Sequence, residues 1–255
     1  MQETRKQLLK EVNFLLQLLY FIIGYLGISI VAIIFSLALS LFKDMVSIEV
    51  LDAIHLCITY GASVAILIFI GSLFSPFLKY LILCIKDKKG IIEGVIIAVC
   101  AFTASYIYSL SSQWIFGNYG SNDNQSSLQV TFEAMPVLSF FSIVIFAPIC
   151  EELTYRFGLF GLISRKSKKL AWIITILFFA LIHFNFDHVL VFFQTGSFDG
   201  LKVELINLPA YLIGAAFLTY AYYREENIVT SITAHAVYNL SQYILMVIST
   251  FFIVQ

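Results

Sequence analysis

Charge is what this 255-residue sequence lacks most: 12% of its residues are Asp, Glu, Lys or Arg, against roughly 25% in an average soluble domain. Hydrophobic residues make up 60%, with mean hydropathy +0.91. A water-soluble fold has too little polar surface to cover that much apolar material. A cytosolic globular enzyme, a disordered chain and a disulfide-stapled secreted module are thereby excluded. Proline is scarce, at four residues, and the four cysteines lie in apolar runs without pair spacing. Cys57, Cys84, Cys100 and Cys150 are therefore expected as buried free thiols. Cys150 has no base at helical spacing that would activate it as a nucleophile. Net charge is only -1, so nothing points to a nucleic-acid partner. His-Glu-x-x-His, Gly-x-Ser-x-Gly and Gly-x-Gly-Asp are all missing, which removes the commonest zinc-protease, serine-hydrolase and aspartyl intramembrane signatures. The first apolar run is too long for a signal-peptide core and lacks a small-residue cleavage site, so it reads as a spanning helix.

What is abundant is apolar helix. About 20 such residues cross the hydrocarbon core, and backbone polar groups there must pair within the segment. The expected fold is all-α: a polytopic transmembrane bundle of about seven spans (six to eight), forming one membrane domain over residues 1–255. The spans read as 18–42, 53–74, 91–112, 136–164, 170–186, 205–223 and 228–253. Residues 2–17, with Arg5, Lys6 and Lys10 among leucines, read as an amphipathic lead-in helix on the membrane surface. Residues 76–85 either extend the second span or lie along the interface. Twelve of the fifteen Lys and Arg fall on one side: Arg5, Lys6 and Lys10; Lys79, Lys86, Lys88 and Lys89; Arg165, Lys166, Lys168 and Lys169; and Arg224. The positive-inside rule then places the N-terminus in the cytoplasm and the C-terminus outside, in the cell membrane.

Polar groups deep in spans are few and expensive, roughly 2.5–3.5 kcal/mol for a charge on insertion scales, and such groups tend to face the bundle interior. Glu93 and His55 lie near span ends, where snorkelling accounts for Glu93. Glu151, Glu152, Arg156, His183, His235 and Asn239 lie deeper. Glu151 stands sixteen residues before Ser167 in a basic turn, and His183 sixteen after it. Two antiparallel helices leaving that turn carry both side chains to the same depth, roughly 20 Å at helical rise. His235 and Asn239, four apart, share one face of the last span, about 11 and 17 Å in by the same rise. Glu152 and Arg156 are spaced for an i, i+4 ion pair. Glu151 points about 100° away from Glu152 and is left as the free carboxylate. Pro148, three residues earlier, favours a kink there. Asp187 and His188, just past the fifth span, either line an entrance or cap the helix, and the cap is the favoured reading.

A carboxylate and an imidazole near one water can deprotonate it for attack on a carbonyl. The Asn239 amide does not titrate, but it can donate to an oxyanion beside His235. Equally, Glu151, His183 and His235 could ligate Zn²⁺ with a position open for water. The sequence leaves both readings standing. A non-catalytic membrane partner, such as a bacteriocin immunity protein or signalling scaffold, is the alternative to an enzyme.

Three stretches resemble a known family. Ala147-Pro148-Ile149-Cys150-Glu151-Glu152-Leu153-Thr154-Tyr155-Arg156 resembles the first motif of the CPBP family of CAAX proteases and bacteriocin-processing proteins. Phe179-Ala180-Leu181-Ile182-His183 resembles its Phe-x-x-x-His motif, and Ser231-Ile232-Thr233-Ala234-His235-Ala236-Val237-Tyr238-Asn239 its His-x-x-x-Asn/Asp motif. The resemblance covers 136–242. It implies an intramembrane endopeptidase that opens toward the cytoplasm and acts on a short peptide or membrane-anchored protein tail. In it Glu151 and His183 activate water, His235 and Asn239 stabilise the oxyanion, and Glu152 and Arg156 shape the site. Family members have been described both as metal-dependent and as metal-free glutamate proteases. One departure is Phe157 where many members carry Gly; Gly158 follows one place later.

Overall fold

The structure is a computed structural model and describes residues 2–253. It is all-helical, with eleven helices and no strand among the described residues. In chain order they are α1 (Gln2–Glu11), α2 (Phe14–Phe42), α3 (Ile48–Ser72), α4 (Ser75–Ile85), α5 (Lys88–Phe116), α6 (Asp123–Ala134), α7 (Pro136–Ser164), α8 (Lys168–Leu181), α9 (Asp187–Thr195), α10 (Asp199–Glu225) and α11 (Ile228–Ile248). Five of them, α2, α3, α5, α7 and α10, are long and apolar enough to cross a membrane. Helices α8 and α11 complete seven legs of a multi-pass bundle.

Polar caps fix where the helices begin. The Asn13, Asp87, Asn122, Ser167 and Asn227 side chains each accept a backbone N–H in the first turn of the helix that follows, satisfying donors that a helix start leaves free. The Arg5 guanidinium is buried, pairs with Asp87 and lies 3.8 Å from Glu225. The lead-in helix α1 is thereby tied to α5 and α10 rather than only resting on lipid. Helix α4 stands as a separate short helix after a break at Phe74.

The fifth span departs most from expectation. It stops at Leu181 instead of running to residue 186, so 14 residues rise only about 21 Å. The chain then turns through 182–186 and restarts as α9. Asn185 explains the break, because its side chain accepts the Asp187 N–H at 2.9 Å, a local bond that competes with helix continuation. His188 does not act as a cap: its Nε2 lies 3.0 Å from Asp123. Two cysteines also depart from expectation: Cys100 on α5 is exposed and Cys57 only half-buried, while all four thiols are free as expected.

Two close approaches set the geometry around α7 and α11. A Cβ at Gly158 would lie 2.8 Å from the Phe21 backbone nitrogen, so α2 can press on α7 only because that side chain is missing. A Cβ at Gly94 would lie 2.6 Å from the Thr230 carbonyl oxygen, and α5 and α11 form the most extensive helix pair. Phe157, the departure from the family pattern, is fully buried and packs edge-on against Tyr20 and Phe77, at 4.8 and 4.9 Å between ring centres.

Candidate active site

Helix α7 is not a regular helix. Its middle segment Ala147–Glu152 is flanked by π-helical stretches at Phe141–Phe146 and Leu153–Phe160. Such widened turns mark functional sites more often than chance. The kink expected at Pro148 takes this form. In an i→i−5 pattern the donor to the Ile143 carbonyl would be residue 148, a proline with no N–H. Asn239 Nδ2 donates to that carbonyl at 2.8 Å instead. Asn239 therefore links α11 to α7 with one of its two N–H groups.

The Glu152–Arg156 pair forms as expected, at 2.8 Å and fully buried. It is Coulombic contact rather than aligned hydrogen bonding, since none of the guanidinium nitrogens meets an acceptor with hydrogen-bond geometry. The face of the Arg156 guanidinium instead lies 4.2 Å from the Phe179 ring centre. Glu152 also receives the Ser231 hydroxyl and sits 2.8 Å from His235 Nδ1. A carboxylate only accepts, so Nδ1 carries the hydrogen and the Nε2 of the neutral ring holds a lone pair. That Nε2 lies 3.8 Å from Glu151 Oε2. The other oxygen, Oε1, accepts from the Tyr60 hydroxyl at 2.9 Å.

His183 is fixed in the same way. Its Nδ1 donates to the Phe179 carbonyl at 2.8 Å, leaving Nε2 as the acceptor, and its ring stacks on Tyr211 at 4.9 Å. The Phe179 ring centre lies 5.1 Å from His183 and 5.7 Å from His235, so one phenyl ring orders both imidazoles and the buried guanidinium.

All four expected chemical groups, Glu151, His183, His235 and Asn239, line one cavity of about 650 Å³. Glu152 and Arg156 are absent from its wall; they lie behind it. Sequence reasoning gave no role to Tyr60, Tyr211 or Ser231, because single hydroxyls in apolar helices carry no spacing signal, nor to Asn122, which caps α6 from a polar loop. It also set His55 aside, yet His55 lines the cavity and contacts the Ala32 carbonyl at 2.8 Å.

Zinc ligation by Glu151, His183 and His235 is not preformed. The one trio among the described residues whose candidate ligand atoms all lie within 4.8 Å of one another is Asp123, His188 and Glu204. Glu204 already accepts the backbone N–H groups of Asp123 and Asn185 at 3.3 and 3.2 Å, tying α10 to α6 and to the turn after α8.

Residues 133–241 match the family described as type II CAAX prenyl endopeptidase Rce1-like. The matched segment is similar to that family over less than half of the chain. It contains all three motifs and all six site candidates, in agreement with the CPBP resemblance. An uncharacterized protein of Mycoplasma capricolum subsp. capricolum is 24% identical over 211 residues, 78% of this chain and 57% of its own length. The chain thus spans little more than half of that curated relative. No solved structure matches.

Proposed function

We propose that this protein is an intramembrane endopeptidase that hydrolyses a peptide bond in a short peptide or in the tail of a membrane-anchored protein. The carrying observation is the 3.8 Å separation between Glu151 Oε2 and His235 Nε2 in a cavity wall. It is too long for a direct hydrogen bond and within reach of one water from both sides. In this reading Glu151 takes a proton from that water, with His183 Nε2 accepting its other hydrogen. The resulting hydroxide attacks the scissile carbonyl carbon. His235, protonated at Nε2 from solvent before the attack and keeping that proton through the cycle, serves the oxyanion as imidazolium, its Nε2–H directed at the substrate while Nδ1–H stays on Glu152. The second N–H of Asn239 is the other donor. Collapse breaks the C–N bond, and the leaving amine takes the proton held by Glu151. Glu152, Arg156 and Ser231 position His235 without touching substrate.

The test is Glu151→Gln in the full chain, read as processing of a co-expressed membrane-anchored reporter. A loss of about 10³-fold at unchanged expression and melting temperature is expected, the range of general base catalysis. Undiminished processing sinks the reading and favours a non-catalytic partner.

A further inference from the structure

We infer that the basic end of the bundle binds the phosphate headgroup of an anionic phospholipid, in a cavity between α1 and the turn that joins α7 to α8. Neither the peptidase reading nor the leaflet that this end faces enters into it.

The cavity measures about 460 Å³ and shares no lining residue with the one that holds Glu151. Lys6 and Lys10 line it from α1, Gln17 from α2, Arg165 and Lys168 from the turn into α8, and Glu226 from just past α10. Four cations thus stand against one carboxylate, and that carboxylate is already engaged, because Glu226 pairs with Lys168. Lys6, Lys10 and Arg165 form no ion pair among the described residues.

The wall is ordered as well as charged. Arg165 donates through Nε to Gln17 Oε1 and through Nη2 to the Val12 carbonyl, both at 2.7 Å. The guanidinium is thereby held in place with two of its five N–H groups used. Because the Arg165 Nε–H only donates, the Gln17 amide turns its oxygen toward it and its Nε2 the other way. Gln17 is 5% exposed, and its Nε2 makes no hydrogen bond among the described residues. Gly161 leaves room for that nitrogen, since a Cβ there would lie 2.3 Å from it. A buried amide nitrogen on a cavity wall, with its N–H groups unused, costs free energy until an acceptor reaches it. Ammonium, guanidinium and amide N–H groups are all donors. An anion with several oxygens, as a phosphate is, satisfies them together.

Apolar surface beside the cavity points to a lipid as the source of that phosphate. Phe14 stands three residues before Gln17 and Trp172 four after Lys168, on the same helix faces, and both are exposed. With a phosphodiester in the cavity, acyl chains run along those rings, and Trp172 sits at headgroup level, where tryptophan collects. Basic pockets between membrane helices recognise lipid phosphates in this way. The headgroup would join α1, which Arg5 already ties to Asp87 and Glu225, to the turn between α7 and α8.

The chain has two tryptophans, so Trp114→Phe leaves Trp172 as the single reporter at the site. The full-length Trp114→Phe protein is reconstituted in phosphatidylcholine vesicles carrying increasing fractions of brominated phosphatidylglycerol or brominated phosphatidylcholine, and quenching of Trp172 is read. Phosphatidylglycerol should bind beside Trp172 about tenfold more tightly than phosphatidylcholine, the scale of a few lysine or arginine contacts at a membrane. Adding Lys6→Gln and Lys10→Gln, which break no ion pair, should bring that ratio close to one. Equal quenching by the two lipids, or a ratio that the lysine changes leave in place, overturns the site. Inorganic phosphate that relieves the phosphatidylglycerol quenching, beyond sodium chloride of equal ionic strength, marks a free-phosphate site and overturns the lipid.

Discussion

At the basic end of the bundle, Tyr20, Phe77, Tyr80 and Phe157 pack ring on ring, none more than 1% exposed. At the opposite end, Asn124, Gln125, Tyr211 and Gln242 line open space above Glu151. The same α7 serves both ends: its second half is wholly buried from Leu153 to Phe160, and its first half forms cavity wall. Close packing at one end gives rigidity and shuts out water and lipid. At the other end, unfilled volume lined by polar side chains gives access. The comparison teaches that the buried Glu152–Arg156–His235 set, at the boundary, takes its order from the packed end and delivers it to the open one.

If that division is right, changes at the two ends should separate stability from chemistry. Beyond the loss expected of Glu151→Gln, the largest effect belongs to Phe157→Ala. Removing a fully buried ring should lower stability by about 3–5 kcal/mol, read as thermal unfolding in detergent; a variant as stable as wild type would contradict the sealed end. Gly158→Ala comes next, at about 1–3 kcal/mol, because the new Cβ meets the Phe21 backbone and α2 must move back. Tyr60→Phe belongs to the open end and should do the opposite. It removes the hydrogen bond to Glu151 and should slow processing about tenfold, the effect of one charge-assisted hydrogen bond, with little change in melting temperature.

The smallest effect concerns the latch of α1. Burial disfavours the Asp87 carboxylate, but its hydrogen bond and ion pair with Arg5 outweigh this, and the carboxyl lies below its usual range. A depressed folded value contributes stability above the unfolded pKa of about 3.9, and that contribution is lost as pH falls through the folded value. Asp87→Asn should therefore unfold more easily than wild type at neutral pH, by about 1 kcal/mol or less, and the two should converge in acid. A difference that persists at low pH would show that the latch is not electrostatic.

Much of this arrangement is legible in the chain. The seven apolar stretches and the Glu152–Arg156 spacing are local periodicity; the equal sequence distances of Glu151 and His183 from Ser167 pointed to one another, although α8 ends at Leu181 and His183 lies in the turn beyond it. The shortened α8 was not legible, because its breaking bond from Asn185 competes with an apolar run that continues to Phe186. Tyr60 and Tyr211 were invisible for another reason: their roles arise from contacts with Glu151, 91 residues away, and with His183, and no spacing within either helix encodes them.

The sequence by itself determined that this is a multi-pass membrane protein, that it is helical, and which of its few ionisable groups fall within apolar stretches, since transfer energy and a fixed rise per residue act along a single helix. Only the tertiary structure decided which imidazole approaches Glu151, that Asn239 completes a carbonyl left by Pro148, and which end of the bundle is open. Those depend on the rotation and packing of helices against one another, which are set by contacts between residues far apart in the chain.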